Sequence, residues 1–257
     1  MEKINLRACI AEAIGTFVLV FFACGVAIVV GDVFATALTF GLVIVIMSTL
    51  IGKVSGCHIN PAVSLACLLT KRMSLRDFVS YVIAQIIGAL LGAVALFGIL
   101  KMGKPLMITN FVFVGSNHTL NRKLEAGPIF SALILETILT FIFIYVILHT
   151  TDEKHGLNKY AGLLIGVTLM FVHLIGINLT GTSVNPARSI GTAFGNLIFS
   201  GEAKALEQVW IFMIAPMGGG ALAAVVYDMI NSKNKLKEVD EPKDDENNAP
   251  VEETVAE

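Results

Sequence analysis

Apolar residues run along this chain in long blocks, without the narrow stripe of a soluble amphipathic helix. Charge-poor stretches occupy residues 8–30, 34–51, 78–100, 129–149, 160–179 and 209–230. Each approaches the ~20 residues that a helix needs to cross a bilayer core. The period-two alternation of a membrane barrel strand is absent, so the blocks predict a helical bundle of six spans. The first block follows Lys3 and Arg7, contains Glu12 and is not closed by a small-residue cleavage site. It is expected to be a span and not a removable leader.

Two shorter features interrupt the pattern. Asn60-Pro61-Ala62 and Asn185-Pro186-Ala187 repeat one triplet, each after a Gly-containing run. Proline suits the first position of a helix, and Asn before it suits the cap. Each triplet therefore predicts a helix start whose unpaired N–H groups and positive dipole end point at something. The segments that follow, 62–69 and 187–197, are too short to cross a bilayer. They are expected to be half-helices in re-entrant loops. Such backbone is tolerated at membrane depth where it lines a water-filled cavity or is buried in protein.

The two halves align. Glu12, Thr16 and Phe17 of the first span match Glu136, Thr140 and Phe141 of the fourth. Gly56 stands four residues before Asn60 as Gly181 stands before Asn185, and Ala84-Gln85 and Ala215-Pro216 take similar places in the third and sixth spans. Each half thus holds three spans, over about 8–100 and 129–230. Three is odd, so the second half enters from the opposite face and the repeats are inverted. The two triplets then dip in from opposite sides to meet near the midplane. Small residues such as Gly88, Gly92, Gly219 and Gly220 let the spans approach closely. The expected fold is an all-α membrane protein of six transmembrane helices plus two re-entrant half-helices, one domain over 1–237.

Composition agrees with a membrane protein. Of the 257 residues 55% are hydrophobic and 15% charged, against about 25% charged in soluble domains. The net charge of −2 misleads, because nine of the 20 acidic residues lie in 238–257. That tail has two prolines and no aromatic residue, too little apolar surface to fold, and is expected to be disordered and cytoplasmic. Lys and Arg placement sets the orientation. With both termini cytoplasmic, the inner side holds Lys3, Arg7, Lys53, Lys71, Arg72, Arg76, Lys154, Lys159, Lys233, Lys235 and Lys237, and the outer side Lys101, Lys104, Arg122, Lys123 and Lys204. A multi-pass protein of the cell membrane follows. Trp210, at the outer end of the last span, reads as an interface anchor. Cys9, Cys24, Cys57 and Cys67 show neither CxxC nor metal-ligand spacing. No metal, other cofactor or nucleic-acid partner is expected.

Five residues carry the chemistry. Asn60 and Asn185 could be caps only, but capping uses the side-chain oxygen and leaves the NH₂ free to donate into a pore. Two amide donors beside two helix starts would hold a water by its oxygen and break a proton-conducting chain. The positive helix ends also oppose cations. Arg188 lies at expected membrane depth, where an arginine is costly and functional by default. Glu12 and Glu136 are buried carboxylates by position. As a pair they could do acid–base work, yet no nucleophile or metal ligand accompanies them, so an enzyme is not expected.

Together these residues resemble the major intrinsic proteins, the aquaporin and glycerol-facilitator family, over roughly 8–231. The resemblance rests on Ser55-Gly-Cys-His-Ile-Asn-Pro-Ala-Val63, on Gly181-Thr-Ser-Val-Asn-Pro-Ala-Arg-Ser189 and on the paired Glu-x-x-x-Thr-Phe segments. Within the family the chain looks most like the water-selective bacterial and archaeal type. The resemblance implies an outer constriction of Phe40, His173, Thr182 and Arg188. It implies that Glu12 and Glu136 accept hydrogen bonds from the re-entrant loops. The carbonyls of Gly56, Cys57, His58, Ile59, Gly181, Thr182, Ser183 and Val184 would then form one wall, and Val43, Ile46, Val167 and Phe171 the opposing apolar wall. In glycerol facilitators the His position is usually Gly and Asp commonly follows the Arg. Here His173 and Ser189 stand there, which favours water.

The implied function is a passive water channel that excludes protons and ions, working as a homotetramer with one pore per subunit. A facilitator of glycerol or other small neutral solutes is the alternative. An ion-coupled secondary transporter is further off, because the only deep acids are the symmetric Glu pair. His58 is expected near the inner mouth, as a pH-sensitive group or a structural hydrogen bonder. Cys57, placed like Thr182 three residues before its Asn, is expected to face the inner half of the pore and to react with mercurials.

Overall fold

Helices account for the regular structure of the residues that the computed structural model describes, 4–102, 126–152, 157–201 and 203–240. In chain order these are α1 (Leu6–Val29), α2 (Val33–Ser55), the short α3 (Pro61–Leu69), α4 (Leu75–Met102), α5 (Ala126–Thr150), α6 (Ala161–Thr180), the short α7 (Pro186–Ser200), the small α8 (Lys204–Gln208) and α9 (Ile211–Asp240). Six of the helical stretches are long and apolar enough to cross a membrane, one for each block of the sequence. The two helices that begin at the repeated triplets are too short, as expected.

Local chemistry sets several ends. Asp32 Oδ1 accepts from Ala35 N at 2.7 Å and starts α2. Ser74 Oγ accepts from Asp77 N at 3.1 Å and starts α4. Gly56 (φ 84°) and Gly181 (φ 76°) end α2 and α6 in the left-handed conformation, where a side chain is disfavoured. One irregularity was not legible: α1 makes a π turn over Leu19–Cys24, and no Gly or Pro in that segment announces it. α9 runs to Asp240, three residues into the stretch that composition assigns to the tail. Residues 241–257 lie outside the described residues, as do Lys3, Lys104, Arg122, Lys123 and Lys154.

Small residues bring the spans together. α1 packs on α4, α5 on α9, and α2 on α6. A Cβ at Gly41 of α2 would stand 2.6 Å from Gly166 O of α6, and one at Gly166 would stand 2.6 Å from Gly41 O. In lipid this close packing, rather than burial from water, holds helices together. The short helices cross between the repeats, with α3 against α9 and α7 against α4. A Cβ at Gly191 of α7 would stand 2.6 Å from Ala89 O of α4, and one at Gly220 of α9 would stand 2.8 Å from Ala62 O of α3. Each half-helix therefore leans on the third span of the other repeat. The outer surface carries Leu50, Ile83, Ile138 and Ile214, side chains suited to acyl chains.

Candidate functional site

The loops that lead into α3 and α7 have backbones that ordinary residues avoid. Cys57 (φ 53°) and Ile59 (φ 41°) in one, and Thr182 (φ 47°) and Val184 (φ 45°) in the other, sit at positive φ. For β-branched residues this is strained, at a cost of about 1–3 kcal/mol each. Two carboxylates hold the strain in place. Glu12 accepts from Ser55 Oγ (2.6 Å), His58 N (2.9 Å), Ile59 N (2.5 Å) and Gln85 Nε2 (2.7 Å). Glu136 accepts from Thr180 Oγ1 (2.6 Å), Ser183 N (2.9 Å) and Val184 N (2.9 Å). Both carboxylates are fully buried. They satisfy backbone donors that neither water nor a helix reaches.

The two halves fasten their loops to the third span by different means. Gln85 of α4 donates to Glu12 and, at 3.1 Å, to Ser64 Oγ. Its counterpart in α9 is Pro216, which has no side-chain donor. A helical proline removes the N–H that would bond the carbonyl four residues back. That carbonyl, Phe212 O, lies 3.5 Å from Ser183 Oγ. Aligning Gln85 with Pro216 located the position but gave no hint that one side offers a donor and the other a freed acceptor.

The half-helices meet tip to tip. Asn60 Oδ1 accepts from Ala62 N at 2.9 Å, and Asn185 Oδ1 accepts from Arg188 N at 3.2 Å, so both side chains cap their helices. Asn60 Nδ2 then donates to Val184 O at 2.7 Å, while Asn185 Nδ2 donates to Ile59 O at 2.9 Å. The pair is reciprocal, as an inverted repeat requires. It also corrects an expectation: the NH₂ groups are not wholly free, since each spends one hydrogen on the facing loop, and Ile59 O and Val184 O are engaged there. One N–H of each amide remains.

Beside the tips lies a cavity lined by His58, Asn60, Asn185, Phe40, His173 and Arg188, with Leu19, Ile44, Phe143 and Leu169 on the apolar side. Water centres can occupy about 20 Å³ of it, little more than the ~10–15 Å³ that one water needs. Three of the four expected constriction residues converge here. The His173 ring stacks on Phe40 with centroids 3.9 Å apart, and Arg188 Cζ lies 5.5 Å from the Phe40 centroid. Arg188 is 2% exposed, and its Nη2 donates to Gly181 O at 3.3 Å. His173 Nδ1 lies 2.9 Å from Leu169 O. A carbonyl only accepts, so Nδ1 carries the hydrogen and Nε2 of the neutral ring presents a lone pair. Nε2 has no protein partner. The constriction thus sets a donor, Arg188, beside an acceptor, His173.

Several expectations need correcting. Thr182 is buried with its hydroxyl turned towards Gly176 of α6, so its side chain does not line the cavity. Of the supposed apolar wall only Val43 is buried; Ile46 (54% exposed), Val167 (38%) and Phe171 (56%) face outward. A span residue's apolar character cannot tell lipid from cavity, and the wall is made by Leu19, Ile44, Phe143 and Leu169. His58 is both a cavity residue and a hydrogen bonder, with Nδ1 3.1 Å from Ser64 Oγ and its ring edge-on to Tyr81. Cys57 is half-buried and packs against the apolar core. Among the described residues no group of three His, Cys, Asp or Glu could hold a metal ion.

Comparison with known proteins decides the family. The sequence profile described as major intrinsic protein matches residues 1–227. The chain is a major intrinsic protein. It is therefore a multi-pass membrane protein of a family of passive channels. It is 40% identical over 233 residues to "Glycerol uptake facilitator protein-like 6" of Lactiplantibacillus plantarum, covering 89% of this chain and all of that one. It is 34% identical to "Aquaporin Z" of Rhodopseudomonas palustris, covering 88% of this chain and 94% of that protein. Among solved structures, the aquaglyceroporin of Plasmodium falciparum matches with a TM-score of 0.77 at 25% identity, over 90% of this major intrinsic protein and 99% of its own chain.

Proposed function

We propose that this major intrinsic protein is a water channel that excludes protons and ions. The observation that carries the reading is the constriction. His173 lies flat on Phe40 at 3.9 Å, Arg188 Cζ stands 5.5 Å from the same ring, and the cavity they line holds little more than one water. Arg188 donates to a passing water, and His173 Nε2 accepts from it. At the helix tips the remaining N–H of Asn60 and of Asn185 donates to the water's oxygen. Its two hydrogens then point away along the file, and the relay of hydrogen bonds that a proton needs reverses direction there. The positive ends of α3 and α7 oppose cations at the same point.

In this reading the loop carbonyls of Gly56, Cys57, His58, Gly181, Thr182 and Ser183 receive water along one wall, and Glu12 and Glu136 hold them in place. The protein catalyses no reaction, sits in the cell membrane with both termini cytoplasmic, and assembles as a homotetramer. A second reading, a glycerol facilitator, is favoured by the name of the Lactiplantibacillus relative. Ser189 after Arg188, in place of the Asp usual in such facilitators, counts against it.

Purified protein in liposomes separates the two. After a step in external sucrose the vesicles should shrink far faster than protein-free ones. After an equal step in glycerol they should shrink as fast and re-swell only at the lipid rate. Re-swelling at a protein-dependent rate would establish the glycerol reading instead.

A further inference from the structure

The two half-helices are alike at their tips and unlike at their blunt ends. α7 has 15 residues and stops at Gly201 in the left-handed conformation, and Lys101 Nζ of α4 donates to a carbonyl of its last turn, Phe199 O, at 3.1 Å. α3 has only nine residues, so less of its length can pack. Its exit is a turn in which Lys71 takes φ 60° and Arg72 N returns to Cys67 O at 2.8 Å. A non-glycine residue at that φ is disfavoured, and the turn sends the Arg72 side chain away from its own helix.

Arg72 reaches the end of α5. Its Nη2 donates to Leu148 O at 2.9 Å, and its Nη1 donates to Thr151 Oγ1 at 3.0 Å. A guanidinium satisfies the carbonyl end of a helix as both donor and charge. Below it lies Tyr227 of α9, with Arg72 Cζ 4.8 Å from the ring centroid. The Tyr227 hydroxyl donates to Asp152, just beyond α5. His149 stands edge-on to the same ring at 4.9 Å. One side chain thus ties the blunt end of α3 to two spans of the other repeat.

We infer that Arg72 is the positioning residue of the inner half-helix: its fork onto α5 fixes the height of α3, and so the place of the Asn60 amide at the tip. The path is short and rigid. Arg72 N bonds Cys67 O within α3's last turn, and Asn60 caps the first turn of the same helix. A shift of α3 along its axis loosens the bond from Asn60 Nδ2 to Val184 O. Its facing partner, from Asn185 Nδ2 to Ile59 O, loosens with it. Arg72 touches no permeant. The fork needs two donors in one plane, which Arg has and Lys lacks. The inference rests on the channel reading but not on whether water or glycerol passes.

The test uses full-length protein in liposomes, with channel number counted by gel and thermal unfolding recorded in detergent. The variants are Arg72→Ala, Arg72→Lys, Thr151→Ala, which removes one arm of the fork, and Lys159→Ala, which removes an exposed charge from the same face. We expect Arg72→Ala, which removes two charge-assisted hydrogen bonds, to lower flux per channel severalfold. The activation energy for flux should rise with it. Arg72→Lys should recover only part, Thr151→Ala should fall between, and Lys159→Ala should match the natural protein. Wild-type flux and activation energy in Arg72→Ala would overturn the inference. So would an Arg72→Ala that fails to fold while Arg72→Lys and Thr151→Ala keep full flux, since Arg72 would then be structural only. Glycerol flux in place of water in the natural protein would sink the water reading, and the same variants would be read in glycerol.

Discussion

Single side chains decide what passes. The His173 ring lies against Phe40, so His173→Gly should open a gap there. Glycerol re-swelling should then rise severalfold above the lipid rate while water flux persists; a variant that folds and still excludes glycerol would contradict the constriction as drawn. The carboxylates work by pure acceptance. In Glu136→Gln one acceptor oxygen becomes an NH₂ group facing the Ser183 and Val184 N–H donors. Donors left unmet in a buried site cost about 1–3 kcal/mol each. Thermal unfolding in detergent should fall clearly for Glu136→Gln, and an unchanged midpoint would remove Glu136 as the loop's anchor. The triplets, the Glu pair and Arg188 stood out in the sequence because a proline, a buried acid and an intramembrane arginine each need a reason. Thr182 did not behave as its position suggested: at φ 47° its hydroxyl turns towards Gly176 and away from the cavity. The partial use of the Asn amides on the facing loop was equally invisible, since it exists only once two distant segments touch.

At the scale of elements, the half-helices depend on close backbone approach. Gly191 lets α7 lie on α4, and a Cβ there would stand 2.6 Å from Ala89 O. Backbone cannot yield as a flexible side chain does. Gly191→Ala should therefore destabilise by about 1–3 kcal/mol and lower flux by tilting α7. Gly52→Ala makes the contrasting case: it meets open space in α2 and should leave unfolding and flux unchanged. Equal effects from the two would mean that close packing of α7 on α4 is not what places the outer tip. The spans were legible as blocks of apolar sequence because bilayer thickness fixes their length. The faces within them were not. Ile46, Val167 and Phe171 turn to the outside while Leu19, Ile44, Phe143 and Leu169 turn to the cavity, and every one of them is apolar. In water a polar face would have marked the difference; in lipid both faces read alike. The π turn of α1 and the freed carbonyl below Pro216 belong to the same class, consequences of packing that composition does not announce.

For the whole molecule, inversion is the property from which the rest follows. Two three-helix units of opposite sense place one half-helix on each side. Only that arrangement lets Asn60 and Asn185 exchange hydrogen bonds across a local two-fold. Odd span number and repeated triplets were enough to foresee it from sequence. Exchange of the half-helices, each leaning on the other repeat's third span, was not foreseen. It means that neither repeat completes a pore alone. On the proposed reading, opposed helix tips let water through and interrupt proton transfer at the same point. The most direct measurement is osmotic shrinkage and internal pH followed together in one set of liposomes, with a pH-sensitive dye trapped inside and a pH gradient imposed. Shrinkage should be fast, with the internal pH drifting only at the protein-free rate. Fast shrinkage accompanied by protein-dependent pH collapse, or no acceleration of shrinkage at all, would contradict it.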